Sequence, residues 1–160
     1  MGLDTSHDCW HGAYSAFMRW RQEIAKVAGI PLMLMDGFYG TDDAPSQEAL
    51  KWMAPRDGGP ECNDYRGPAI FHWVGKVTQW LPIKWEILTP RPLLVLLNHS
   101  DCDGEIAASD CGPLADDLES LLPLLKGDGG GHIGSYREKT QQFIDGLRRA
   151  AAANEPVDFH

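Results

Sequence analysis

The sequence predicts a mixed α+β fold, or a small α/β fold, built as a single domain over residues 1–160. The chain has 160 residues, 43% of them hydrophobic, which is enough to bury the core of one ordinary domain. Several stretches repeat apolar residues at helical spacing, and one stretch is continuously apolar, as in a strand covered on both faces. We therefore expect a small central sheet that includes residues 92–98. About four helices should flank it, at 11–28, 45–53, 111–126 and 135–152.

The first part of the chain predicts a short strand followed by a helix. Residues 1–9 indicate a strand or an extended segment, and apolar positions recur at helical spacing from His11 onward. Gly29 favours a left-handed helix end and Pro31 cannot continue a helix, so the helix should stop there. The apolar run 31–35 predicts another short strand.

The most apolar stretch of the chain, Pro92 to Leu97, is continuous rather than alternating, so we expect it to be the central strand. After a polar turn, Asp110 is expected to cap a helix that carries a stripe of leucines. The stripe consists of Leu114, Leu118, Leu121, Leu122 and Leu125.

The last part of the chain predicts a glycine-rich connection, a helix and a final strand. Residues 127–134 contain five glycines and indicate a flexible connector. Ser135 and Glu138 have the spacing of a capping box, which predicts a helix start. Residues 156–159 then suit a final strand.

Charge and composition exclude several classes of protein. The chain has 14 basic and 23 acidic residues, a net charge of −9, which argues against binding to extended nucleic acid. No apolar stretch approaches the roughly 18 residues of a membrane span, and no secretory signal begins the chain, so we expect a cytoplasmic protein.

The four cysteines form no CxxC pair, which removes the strongest zinc-ribbon signal. A pocket for a small anionic ligand, and assembly into a homo-oligomer, are both compatible with this composition.

The candidate functional segment runs from Asn98 to Glu105. In it, His99, Asp101 and Asp103 alternate before Gly104, so an extended chain would point all three toward one side. Imidazole and carboxylate donors together suit a divalent metal, and we expect manganese or zinc.

The same residue pattern has two other interpretations. A solvated strand-to-helix turn also uses Asp and Gly, and this alternative stays open. An EF-hand calcium loop is rejected, because His99 and Asp110 would occupy its first and twelfth positions and the preceding residues indicate a strand.

The segment from His99 to Ala108 resembles the first metal motif of the DHH phosphoesterases, HxDxDGxxS/A, which in that family also follows an apolar strand. The resemblance implies that His99, Asp101 and Asp103 bind manganese, which activates water for phosphodiester or phosphoanhydride hydrolysis. The family's later Asp-His-His motif does not occur in this sequence. The opening residues 2–10, together with the HSDCDGEI segment, also resemble a group of small bacterial and phage proteins. That likeness implies a bacterial or phage setting but no activity, and the expected compartment is the host cytoplasm if the protein is phage-encoded.

A second polar cluster lies near the start of the chain. If residues 7–11 are extended, His7, Cys9 and His11 project to one side, and the two histidines would complete a metal site begun by His99. The alternative is that Cys9 packs in the core, His7 caps a turn and His11 begins the helix.

Aromatic and basic residues in the middle of the chain suggest a ligand site. Arg56, Arg66 and Arg137 are candidates for phosphate contacts, and Trp73 for stacking on a base. The alternatives are aromatic packing in the core and solvated surface charges.

Three functions follow, in order of preference. The first is a metal-dependent hydrolase, a phosphoesterase acting on a phosphate-containing small molecule such as a nucleotide, with Glu105 or Asp110 moving a proton. The second is a phage-type sponge protein that binds a nucleotide signal without cleaving it. The third is a structural or interaction protein, in which substitutions of the candidate ligands change stability alone.

Overall fold

The computed structural model describes residues 2–38 and 84–160. The chain divides into two compact units, one formed by Met1–Val27 with Arg91–His160 and the other by Ala28–Pro90. The described residues contain four α-helices and two antiparallel two-stranded sheets, so the predicted α+β class is confirmed. The assignment of residues 1–160 to a single domain stays a prediction.

The first unit is built from both ends of the chain. Its elements are β1 (Gly2–Asp4), β2 (His11–Ala13), α1 (Tyr14–Val27), α2 (Leu93–Leu97), β3 (Gly104–Ile106), α3 (Ala108–Leu121), α4 (Tyr136–Ala153) and β4 (Val157–Phe159). Short 3-10 turns cover Ser6–Asp8 and Leu122–Leu124.

The four strands stand side by side in the order β2, β1, β4, β3. β1 pairs with β2, and β3 pairs with β4, both antiparallel. A bridge between Thr5 and Phe159 joins the two sheets. Beside it, Asp4 and His160 exchange two backbone hydrogen bonds of 2.9 and 3.0 Å. The final strand predicted at 156–159 is therefore confirmed as β4, and it lies between β1 and β3.

An aromatic cluster forms the centre of this unit. The closest ring pairs are Trp20 with Phe143, at 4.8 Å between centroids, and Trp10 with Phe17, at 5.0 Å. Trp20 also donates from its indole Nε1 to the Thr140 hydroxyl at 2.9 Å. All four rings are buried, so α1, α4 and the β1–β2 connection share one core.

The predicted central strand at 92–98 is wrong, because this stretch forms α2. Leu93, Leu96 and Leu97 are fully buried, which is the i, i+3, i+4 pattern of a helix covered by its neighbours. A short continuous apolar run fits a buried helix as well as a buried strand, and periodicity alone does not separate the two. The run 31–35 was expected to be a strand for the same reason, but a 3-10 turn occupies Leu32–Leu34.

The three other described helices were placed correctly, with shifted ends. The helix expected at 11–28 begins at Tyr14 because residues 11–13 form β2. The helix expected at 111–126 spans Ala108–Leu121, with Ala107 at its N-cap, so Asp110 lies in the first turn and is not the cap. The helix expected at 135–152 spans Tyr136–Ala153, and the Ser135 side chain accepts from the Glu138 amide as predicted. The helix expected at 45–53 lies outside the described residues.

The second unit is described only at its two ends. Lys84 forms an ion pair with Asp36, at 2.6 Å from Nζ to Oδ2. The indole of Trp85 donates to the Asp36 carbonyl at 3.0 Å, and its ring meets that of Phe38 edge-on at 6.1 Å. These contacts tie residues 35–38 to residues 84–87.

Across residues 2–38 and 84–160, no helix combines the length and the apolar character needed to cross a membrane.

Candidate functional site at the end of α2

The candidate segment 98–105 leaves the C-terminal end of α2 directly above a buried arginine. Arg21 of α1 has a side chain with no solvent exposure and forms an ion pair from Nη2 to Asp101. Its Nη1 also donates to the carbonyls of His99, at 2.6 Å, and Leu96, at 3.3 Å. The last carbonyls of a helix lack partners within the helix, so one guanidinium satisfies this helix end and holds the segment that follows.

The opposite end of α2 is capped in the same way. Asp117 of α3 accepts from the Leu93 amide at 2.9 Å and pairs with Arg91 at 2.5 Å. A helix of five residues is too short to be stable alone. Charged side chains from α1 and α3 therefore hold α2 at both ends.

The segment itself is bent and not extended. His99 donates its backbone amide to the Leu96 carbonyl, which continues the helical turn, and residues 101–103 form successive bends before β3. The expectation that alternation would point His99, Asp101 and Asp103 to one side is wrong in this respect, because it assumed a preceding strand.

His99 packs on the final strand. Its ring lies 4.1 Å from that of Phe159 between centroids, and its Nδ1 is 2.8 Å from the Ser100 carbonyl. A Cβ added to Gly104 would be 3.4 Å from the imidazole. Because Gly104 has a φ of +98°, glycine suits both this close approach and the turn.

Asp103 has different partners from those of Asp101. The Ser100 hydroxyl donates to its carboxylate at 2.6 Å, and the Cys102 sulfur is 3.8 Å away. These three side chains are exposed. They form a small polar surface, whereas Asp101 turns inward to the guanidinium.

No group of three or more His, Cys, Asp or Glu side chains within residues 2–38 and 84–160 is arranged to hold a metal ion. His99, Asp101 and Asp103 are neighbours in sequence, but each has a separate partner. Their assignment as metal ligands stays a prediction.

The second polar cluster does not take the expected form either. Residues 6–8 are a 3-10 turn, with His7 at a φ of +57°, and Cys9 is fully buried. His7 lies 3.3 Å from a Glu155 carboxylate oxygen through Nε2, while His11 contacts Asp4. The three donors therefore do not project to one side of an extended chain. Since Phe159 belongs to the buried side of β4 and His11 is exposed on β2, His99 and His11 lie on opposite sides of the strands.

The remaining candidates are spread over the chain. Glu105 is exposed on β3, and Asp110 lies in the first turn of α3. Arg137 is exposed in the first turn of α4. Arg56, Arg66 and Trp73 lie outside the described residues, so their role as ligand-binding residues stays a prediction.

Two residues that organise the site were not singled out from the sequence. Arg21 stands among charged neighbours in α1, and Asp117 lies beside Asp116 on α3. One signal was present, since Arg21 falls on the apolar stripe between Phe17 and Ile24, where an exposed arginine is not expected.

Burial shifts the pKa of Arg21 and that of Cys111 in α3. It lowers the pKa of Arg21 to about 10, so the guanidinium remains charged at neutral pH. It also raises the pKa of the Cys111 thiol, whose sulfur lies 3.3 Å from the Ala107 carbonyl.

Comparisons of this chain with protein-family models, with curated proteins and with solved structures gave no match.

Proposed function

We propose that this chain is a non-catalytic structural or interaction protein, in which segment 98–105 serves the fold rather than bond cleavage. The observation that supports this most strongly is the ion pair between Asp101 and the fully buried Arg21. In this account Asp101, the central carboxylate of the apparent metal motif, is a structural residue.

Energetics favour the arginine over a metal at this position. A cation that took Asp101 as a ligand would leave the buried guanidinium without that counter-charge. The Asp101 side chain is 34% exposed, so loss of this pair costs less than the about 3–5 kcal/mol typical of a fully buried pair, but it still leaves a buried charge short of one partner. The Arg21 bonds to the carbonyls of His99 and Leu96 would still hold the charge in place, so the guanidinium cannot simply leave.

The second candidate is the metal-dependent phosphoesterase implied by the DHH resemblance. The observation that favours it is the exposed side of the segment, where the Asp103 carboxylate lies beside the Ser100 hydroxyl and the Cys102 thiol. In that account His99, Asp101 and Asp103 would hold the metal, and Glu105 or Asp110 would move a proton. The nucleotide-binding alternative depends mainly on Arg56, Arg66 and Trp73, which lie outside the described residues.

The first experiment compares Asp101→Asn with Asp103→Asn by urea unfolding. We expect a loss of about 1–3 kcal/mol for Asp101→Asn, because the buried guanidinium of Arg21 loses its charged partner. Asp103→Asn should stay within about 0.5 kcal/mol of the unmodified chain, since this exposed position keeps an accepting oxygen for Ser100.

The same chains are then incubated with bis(p-nitrophenyl) phosphate and added manganese or zinc. No turnover above the metal-only blank is expected. Metal-dependent hydrolysis that disappears in His99→Ala and Asp103→Asn would overturn the proposal in favour of the phosphoesterase. Equal stability of the Asp101 and Asp103 variants would also count against it.

A further inference from the structure

The outward side of the four strands carries a row of metal-binding residue types. In the β1–β2 register, Asp4 stands opposite His11. On its other side, Asp4 exchanges both backbone hydrogen bonds with His160. His11, Asp4 and His160 are therefore direct cross-strand neighbours on three adjacent strands.

Alternation places the three side chains on the same face. Leu3, Thr5, Val157 and Phe159 are buried, whereas Asp4, His11, Asp158 and His160 are exposed. Successive residues of a strand point to opposite faces, so the exposed set shares the solvent side. Residues directly opposite each other are about 4.5–5.5 Å apart between Cα atoms, which is within reach of neighbouring side chains.

We propose that His11, Asp4 and His160 bind a divalent cation on this solvent face as a two-histidine, one-carboxylate site. His11 Nδ1 contacts a carboxylate oxygen of Asp4, so these two side chains are within reach of each other, and a bound cation would replace this contact. The flanking histidines are two strand spacings apart, about 10 Å, and imidazoles reaching inward from both sides can meet a cation above the central carboxylate.

Closing the site requires side-chain movements only, the first of which opens the contact between His11 and Asp4 to admit the cation. The three groups do not converge in the structure, and the imidazole of His160 must rotate toward Asp4. That side chain is exposed, so its rotation displaces no packed neighbour. The backbone that carries it is held by the two hydrogen bonds to Asp4, so only side-chain torsions change.

The donor set indicates the class of cation. Two imidazoles and one carboxylate are ligands for zinc, cobalt, nickel or ferrous iron, whereas calcium and magnesium prefer oxygen alone. Glu105 and Asp158 form the next cross-strand pair on this face, and their carboxylates make it more favourable for cations. A bound cation would fasten the β1–β2 hairpin to β4.

The three proposed ligands lie outside segment 98–105, and this proposal does not depend on the proposed function. His99 packs on Phe159, on the buried side of β4, whereas the proposed ligands are on the solvent side. A failure of either proposal therefore leaves the other standing.

The test is a titration of the untagged full chain with zinc chloride by calorimetry, and with cobalt chloride by visible absorption. The unmodified protein should bind one equivalent with saturation. His160→Ala, His11→Ala and Asp4→Asn should each weaken binding by more than about tenfold, as expected when a ligand or its partner is lost. His99→Ala is the matched control, and its affinity should be unchanged.

Circular dichroism should show that His160→Ala keeps the fold, because the substituted side chain is exposed. Absence of saturable binding by the unmodified protein would overturn this proposal. So would full affinity in His160→Ala, or a loss of binding in His99→Ala alone, which would instead point to the 98–105 segment.

Discussion

Arg21 illustrates how a single residue can decide what a neighbouring motif does. Its side chain is completely buried, lies 4.8 Å over the Phe17 ring, and reaches both the end of α2 and Asp101. A buried charge is tolerated only when it is paired and hydrogen-bonded. The acidic, histidine-containing connection above it supplies those partners, which gives a physical reason for an aspartate at position 101 other than metal binding.

The cysteines give a prediction at the scale of single side chains. Burial raises the pKa of the Cys9 thiol from 9.0 to about 12, and Cys111 shifts in the same direction for the same reason. Thiolate, not thiol, is the reactive form, so both should remain protonated and unreactive at pH 8.5. Cys102 is exposed and should be alkylated by iodoacetamide much faster.

Peptide mass spectrometry after timed alkylation at pH 8.5 checks this order. The denatured chain is the control, in which all cysteines should react at similar rates. Labelling of Cys9 in the folded protein as fast as Cys102 would contradict the burial of that thiol.

At the scale of elements, α2 shows why the site could be only partly anticipated. Its position after a loop and its apolar character were predictable from the sequence. Whether this stretch forms a helix or a strand was not predictable, because five apolar residues fit either element. The groups that cap α2 also come from distant parts of the chain. Asp117 and Arg21 are 24 and 75 residues from the groups they bind, Leu93 and Leu96. No local pattern encodes such contacts.

The longer helices were predictable for the opposite reason. The 18-residue α4 carries its own start signal, Ser135 with Glu138, and its own end, Asn154 in a left-handed conformation. Local signals of this kind need no tertiary partner. The start of α3 was predicted too late because Asp110 is a typical capping residue. The helix instead begins at Ala108, after an N-cap residue, Ala107, whose side chain cannot cap it.

The packing of α4 against the N-terminal segment yields a prediction on a matched pair of helical glycines. A Cβ at Gly146 would lie 2.4 Å from the Cys9 sulfur and 2.8 Å from its Cα. Gly146→Ala should therefore destabilise the protein by about 1–3 kcal/mol through overpacking. Gly112 in α3 has no neighbour within 4 Å of the same point, so Gly112→Ala should stabilise it by up to about 1 kcal/mol.

Urea unfolding of both variants measures the difference. If Gly146→Ala were as stable as Gly112→Ala, the close approach of α4 to Cys9 would not exist in solution.

At the scale of the whole molecule, the first unit is discontinuous in sequence. Residues near the start of the chain pair with residues near its end, and β4 lies between β1 and β3. Sequence reasoning identified the final strand from its composition. It did not identify the partners, because strand pairing at this separation depends on the packed core and not on local pattern.

Phe159 gives the prediction that belongs to this scale. Its ring is 4% exposed and contacts Phe17 at 5.8 Å as well as His99. Phe159→Ala should cost about 3–5 kcal/mol. It should also increase hydrogen exchange in residues 2–13, because β1 and β4 are held together. Asp158→Ala is the control, since that side chain is exposed on the same strand.

Hydrogen exchange followed by mass spectrometry distinguishes the two variants. Faster exchange confined to the C-terminal peptide in Phe159→Ala would contradict the pairing of β1 with β4.

The central claim, that segment 98–105 is a structural connection held by a buried arginine, is tested most directly by a double-mutant cycle. Unfolding free energies are measured for Arg21→Met, Asp101→Asn, the double variant and the unmodified chain. The account predicts a coupling energy of about 1–3 kcal/mol, with the double variant losing less than the sum of the single losses. Additive losses would show that Arg21 and Asp101 do not act together, and would contradict the account.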